Sequence, residues 1–171
     1  MDTSTVNGNG AEQASPGPGQ YAKGGGIGNN LGTVTIVRST LSTNVAAGQA
    51  SSGGAIHNEY GTVSIQNSTI SGNIVYSDTT GPNGNGGAIY NAFGSVMVSN
   101  STVTANLAFA NVGPTAGSGG FFNFQGVARL KNSILAANST ADLDNETGGT
   151  FRSGGFNLVG TTNGLLTAGQ Q

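Results

Sequence analysis

Four stretches of this chain can be laid over one another. Gly24 begins GGGIGNNLGTVTIVRSTLSTN, Gly53 begins GGAIHNEYGTVSIQNSTISGN and Gly86 begins GGAIYNAFGSVMVSNSTVTAN, each 21 residues long and aligned without a gap. Gly119 begins a fourth, GGFFNFQGVARLKNSILAAN, one residue shorter. The starts lie 29, 33 and 33 residues apart, and variable segments rich in Gly, Pro, Asn and Ser follow each core. A fixed core with length freedom confined to one connection is the behaviour of a solenoid, in which every unit rests on its neighbour.

Within each core the apolar period is two, which means strand. Val34 and Ile36, Val63 and Ile65, Val96 and Val98, and Ala128 and Leu130 alternate with polar residues. Leu41, Ile70, Val103 and Leu135 mark a second short strand, and Ile27, Ile56, Ile89 and Phe122 a third. Three strands in so few residues leave no room for hairpins, and no helical stripe of useful length occurs. The expected fold is therefore all-β: a parallel β-helix of four to five coils with three short strands per coil. The single domain, residues 1–171, divides into a partial coil and loop (1–23), coils at 24–52, 53–85, 86–118 and 119–153, and a closing turn (154–171).

Asparagines recur at the corners. Asn67, Asn100 and Asn132 share one aligned position, with Arg38 in their place in the first coil. Asn44, Asn73, Asn106 and Asn138 share another. Asn29, Asn58 and Asn91 form a third, with Asn123 as its shifted member. An amide is both donor and acceptor, so stacked copies can bond each other and the turn backbone. Asn also tolerates the left-handed backbone that sharp bends require. The Arg38 substitution predicts a corner open to solvent there.

Composition removes several functions. Only 7% of residues are charged, with 5 Lys+Arg against 7 Asp+Glu. So few scattered cations predict no nucleic-acid partner, because phosphate neutralisation needs a basic patch. No apolar run is long enough to span a membrane as a helix, and the first residues carry no basic and apolar leader. Cysteine is absent, which excludes disulfides and thiolate-bound metals. No cofactor motif is present; the Gly pairs open strands rather than helices, so they make no phosphate cradle.

Ser4 to Asn9 (STVNGN) matches Ser101 to Asn106 (STVTAN), so Met1 falls inside a coil. The expectation is a C-terminal piece of a longer exported solenoid, or an internal start, with neighbouring coils of a longer chain as partners; the alternative is an irregular cap formed by residues 1–23. The GGAI segments (Gly53 to Ile56, Gly86 to Ile89) paired with aliphatic-x-x-Asn (Ile70 to Asn73, Val103 to Asn106) resemble the repeats of polymorphic outer-membrane proteins and other bacterial β-helix surface proteins of the pectate-lyase-like superfamily. The tail from Asn132 to Gly160, with Asp142-Leu143 and the turn Gly155 to Gly160, is similar to the closing segment of proteins with a choice-of-anchor Q domain. The resemblance covers residues 4 to about 160. It implies right-handed winding and an extracellular, cell-surface or outer-membrane location. This chain departs from it in carrying no signal peptide and no sorting signal after Gly160.

That superfamily includes polysaccharide lyases and hydrolases. Converging carboxylates near an Arg or Lys, or paired Asp residues beside a His, would be needed for such chemistry. Neither occurs, and no Ser-His-Asp or zinc spacing is present. His57 aligns with Gly28 and Tyr90 in an outward column and is read as a surface-stacked imidazole. Asp142, Asp144 and Glu146 alternate in ADLDNET; they are the weak candidates for calcium, with a solvated acidic loop as the plainer reading. Asn67-Ser-Thr, Asn100-Ser-Thr, Asn138-Ser-Thr and Asn145-Glu-Thr match the glycosylation pattern as a by-product of the ladders. Outward columns of Thr40, Thr69 and Thr102, with Ser42, Ser71 and Thr104 beside them, raise ice binding as a minor alternative. The expected function is a non-catalytic structural or adhesive surface module. It would contact glycans or a cell-surface protein through loops at 45–52, 74–85, 107–118 and 139–153. A carbohydrate-active enzyme without a recognisable catalytic set is the competing expectation.

Overall fold

The structure is a computed structural model in which residues 1–12, 21–78, 84–110, 117–146 and 148–164 are described. All their strands pair in parallel, each with its equivalent one coil along, in a solenoid of about four turns. Four sheets run along it. Sheet 1 stacks Ile27–Asn30, Ile56–Glu59, Ile89–Ala92, Phe121–Phe124, Leu143–Asn145 and Thr162–Gly164. Sheet 2 stacks Thr33–Val37, Thr62–Gln66, Ser95–Ser99, Val127–Lys131 and Thr150–Ser153. Sheet 3 runs from Thr5–Asn7 through Thr40–Ser42, Thr69–Ser71, Thr102–Thr104 and Ile134–Ala136 to Leu158–Val159. Sheet 4 holds Gly10–Glu12, Val45–Gly48, Ile74–Ser77 and Leu107–Ala110.

The fourth sheet corrects the expectation of three strands per coil. Its strands lie at 45–48, 74–77 and 107–110, inside segments the sequence suggested were contact loops. Each turns only one apolar residue fully inward, Ala46, Val75 or Ala108, which form a small core of their own with Ala22. One small inward residue cannot display a period. The other three strands of each coil feed the main core, where Ile36, Leu41, Ile65, Ile70, Ile89 and Leu135 are fully buried.

A second correction concerns the two phenylalanines of the fourth coil. Ile89 pairs with Phe121, not Phe122, and Tyr90 pairs with Phe122. Gly120 stands where Ala88 does in the coil before, since Ile89 N–H bonds Gly120 O as Ile56 N–H bonds Ala88 O, so Phe121 fills the core and Phe122 points out.

Three of the four corners are two residues long in every complete coil. Each carries a residue with positive φ: Leu31, Tyr60, Phe93 and Gln125 at one, Arg38, Asn67, Asn100 and Asn132 at the next, and Thr43, Gly72, Ala105 and Ala137 at the third. Side chains bearing a Cβ pay roughly 1–2 kcal/mol there. At the first corner the exposed rings of Tyr60 and Phe93 stack at 5.0 Å and Phe93 meets Phe124 edge-on at 5.4 Å. Such pairs recover about 0.5–1.5 kcal/mol each. Among the complete coils all length variation falls at the fourth corner, in segments 13–26, 49–55, 78–88 and 111–120, whereas in the closing coil the connections 146–149 and 154–157 are four residues each.

Candidate functional site

The ladders come first, because they decide which polar groups are free. Asn44, Asn73 and Asn106 are fully buried. Each side chain donates to the next amide oxygen along the solenoid: Asn44 to Asn73 at 2.9 Å, Asn73 to Asn106 at 2.9 Å and Asn106 to Asn138 at 2.8 Å. Asn9 donates to Asn44 at 3.0 Å at the other end. Each oxygen also takes the backbone N–H of the previous rung, as Asn73 Oδ1 does from Asn44 at 3.0 Å. The second amide hydrogen goes to a carbonyl, from Asn73 to Leu41 at 3.0 Å. The rung is saturated.

Asn29, Asn58, Asn91 and Asn123 make a second buried ladder at 2.7–2.8 Å, and it continues to Asn145. Each amide also closes its own corner by donating to the carbonyl three residues on, Gly32, Gly61, Gly94 or Gly126. A Cβ on Gly61 would lie 2.2 Å from Asn29 Nδ2, so the corner needs glycine. The Asn-x-x-Gly spacing was the available signal for this.

Asn67, Asn100 and Asn132 differ. They are exposed, and Asn132 donates to Asn100 at 2.9 Å. Their service is the left-handed backbone. Arg38 takes the same conformation at an exposed corner and pairs with Asp2. The serines that follow form a ladder the sequence reading missed. Ser68 Oγ accepts the backbone N–H of Ser39 at 3.0 Å and donates to the Gln66 carbonyl at 2.7 Å, and Ser101 Oγ repeats this for Ser68. The triplets at Asn67 and Asn100 thus have a structural origin: Asn for the bend, Ser for the rung, Thr outward.

The three acidic residues of ADLDNET are not brought together as ligands. Asp142 is 2% exposed, and both oxygens are occupied. Oδ1 accepts from Asn138 N at 2.8 Å and Asn138 Nδ2 at 2.7 Å; Oδ2 accepts from Thr161 N at 2.8 Å and Thr161 Oγ1 at 3.0 Å. Asp144 is in register with Phe122 on sheet 1, where burial and then Glu146 raise its pKa. Among the described residues no three His, Asp or Glu side chains gather in a way that could hold a metal.

One cluster of titratable groups does assemble, and the sequence reading placed its centre wrongly. His57 is 4% exposed, not on the surface. Its ring stacks on Tyr90 at 5.0 Å, and Tyr90 stacks on Phe122 at 5.5 Å, so the outward column of sheet 1 is a covered aromatic stack. Ser52 Oγ lies 2.9 Å from His57 Nδ1, and Glu59 Oε2 lies 3.5 Å from Nε2, beyond a good hydrogen bond. Lys23 holds Glu59 Oε2 at 2.8 Å. Burial, then the Lys23 charge, push the imidazole pKa down to about 4 despite the opposing pull of Glu59. Lys23 lowers the Glu59 pKa, and burial raises that of Tyr90.

Ser, His and Glu in line invite comparison with an activated nucleophile, which also needs donors for a developing oxyanion. Those beside Ser52 are spent. Ser52 N–H bonds Ala22, Gly53 N–H bonds Asn85 and Gly54 N–H bonds Gly86, all through backbone carbonyls at 3.0–3.1 Å. An imidazole with so low a pKa is also a weak base.

Two outward faces remain. On sheet 3, Thr5, Thr40, Thr69 and Thr102 are in register, followed by Ile134 and Leu158. On sheet 2, Thr35, Ser64, Met97, Arg129 and Arg152 are in register, with Lys131 two residues beyond Arg129. No family model, curated protein or solved structure matches the chain.

Proposed function

We propose that this chain is a non-catalytic adhesive and spacing module, of the kind found in bacterial β-helix surface proteins with GGAI and aliphatic-x-x-Asn repeats. The observation that carries this reading is the division of labour around each coil. In the complete coils three corners are fixed at two residues and saturated by Asn and Ser rungs, while every change in length falls at the fourth. Such a body keeps its shape and can vary one edge without disturbing the stack. The contact edge contracts from the segments expected to 49–55, 78–88 and 111–120, of which 79–83 and 111–116 lie outside the described residues. The Ser52–His57–Glu59 cluster supports the non-catalytic half, since its neighbouring donors are committed to the ladder. The location follows the same resemblance: secreted or cell-surface. No helix among the described residues is long and apolar enough to cross a membrane.

The test is exposure of the folded protein to a panel of neutral and acidic polysaccharides, with retention and product formation read together. Retention without new reducing ends or unsaturated ends is the expected result. Release of shortened chains, lost on Ser52→Ala or His57→Gln, would restore the enzyme reading. A second reading, ice binding, is favoured by one observation: Thr5 lengthens the hydroxyl column of sheet 3 to four rungs. Thermal hysteresis abolished by Thr69→Leu would support it, and its absence would remove it.

A further inference from the structure

The chain has five cations, and three of them share one end of one face. Arg129 and Arg152 are directly paired across adjacent strands of sheet 2, and Lys131 lies on the same strand and side as Arg129. All three are exposed. Among the described residues the ion pairs are Lys23 with Glu59 and Arg38 with Asp2, so no carboxylate answers any of these three. Like charges directly opposite each other weaken a sheet. The fold gains nothing from this placement, in a chain of formal net charge −2.

We propose that this corner of sheet 2 binds a sulfated polysaccharide. Adjacent strands lie about 4.8 Å apart, so the two guanidinium forks stand one strand spacing from each other. A planar carboxylate matches one fork with its two oxygens. A sulfate ester has three terminal oxygens in a tetrahedral arrangement, enough to accept from both forks at once. The Lys131 ammonium, about 6–7 Å along the strand from Arg129, takes a second sulfate as a point charge. The surface is flat, so it reaches groups that project from a polymer, as sulfate esters do. Gln66 and Ser99, in register with Lys131, offer amide and hydroxyl groups to sugar hydroxyls on the same face. Single-stranded nucleic acid fits less well: its binders supply aromatic platforms for bases, and no ring lies among these residues. This inference rests on the adhesive reading and gives that reading a ligand.

The experiment uses the whole folded chain and immobilised dextran sulfate, unsulfated dextran, polygalacturonate and oligothymidylate. Dextran sulfate should bind best, with affinity falling as salt rises. Arg129→Gln or Arg152→Gln should each weaken it about tenfold, as expected for loss of one charge-assisted fork. Arg38→Gln, which removes the same charge elsewhere, should leave it unchanged. Arg129→Lys should keep the salt dependence and still weaken binding, because the fork is lost. Dextran sulfate should raise the melting temperature of the wild-type protein more than that of Arg152→Gln at the same concentration, while the two melt alike without it, which separates loss of the site from loss of the fold. Equal binding of polygalacturonate would overturn the tetrahedral assignment. Preference for oligothymidylate would overturn the polymer class, and equal weakening by Arg38→Gln would overturn the site. Binding accompanied by shortening of the dextran sulfate would instead sink the non-catalytic reading and leave the site standing.

Discussion

Asn138 Nδ2 donates to Asp142 Oδ1 at 2.7 Å, and there the buried amide ladder stops. Every earlier rung passes a hydrogen bond onward because an amide has donors and an acceptor. An ionised carboxylate has acceptors only. Asp142 receives the last amide on one oxygen and the returning chain at Thr161 on the other. What looked in the sequence like one of three acidic loop residues is the terminator of a ladder that begins at Asn9.

Asp142→Asn should therefore cost more than its near-identical shape suggests. The amide can still accept from Asn138, but its NH2 then faces the Thr161 N–H and hydroxyl. The expected loss is about 1–3 kcal/mol, the penalty of unsatisfied buried groups. Urea unfolding of the variant measures it. An unchanged midpoint would mean that the carboxylate is not the ladder's end.

The buried and the exposed Asn columns should respond differently. Asn73→Ala strips partners from Asn44, Leu41 and Asn106 at once and should cost roughly 3 kcal/mol. Asn67→Gly removes an exposed side chain from a left-handed position and should lie within about 0.5 kcal/mol of wild type or above it. Paired thermal or urea denaturation of the two variants checks the contrast. Similar losses would show that burial does not separate the ladders.

Stability should fall in mild acid through His57. Its folded pKa of about 4 lies below the ordinary 6.5, so between those values the unfolded chain binds the proton and the folded chain does not. The full contribution is present above about pH 6.5 and is lost as pH drops toward 4. Each tenfold change in proton affinity is worth about 1.4 kcal/mol, so the loss is roughly 3 kcal/mol. His57→Phe, which extends the Tyr90 stack without a titrating group, should flatten the profile over this window. A profile as steep as wild type would place the effect elsewhere.

Gly61→Ala should be poorly tolerated. The added Cβ meets Asn29 Nδ2 at 2.2 Å and Asn58 Oδ1 at 2.7 Å, both buried parts of the second ladder. Overpacking of this kind costs about 1–3 kcal/mol. A melting temperature equal to wild type would mean that the corner is looser than described.

Much of this was legible in the chain because a solenoid writes the same contacts several times. Val63, Val96 and Ala128 repeat in sequence because they touch in space, and the buried column from Asn44 to Asn138 is visible in the same way. Where a contact occurs once, or leaves no period, the sequence was silent. Ala46 and Val75 are the single inward apolar residues of their strands, so their sheet went unseen. Phe121 and Phe122 are chemically identical neighbours, and only the register shows which one replaces Ile89. His57 sits above Gly28 in the alignment, which suggested exposure; its cover comes from Ser52, Tyr90 and Glu59, placed around it by the winding. The Arg129–Arg152 pair was hidden by a shorter coil, which brings residues 23 apart into one rung.

The central claim is that successive coils lie in register along one axis. It is tested most directly by spin labels on Thr5→Cys and Ile134→Cys, in a protein that has no other cysteine. These positions share one outward column through Thr40, Thr69 and Thr102. Four strand spacings predict a backbone separation of about 19 Å and a narrow dipolar distance distribution, widened only by the label tethers. A broad distribution, or one centred beyond roughly twice that separation, would contradict the stacked coil and everything built on it.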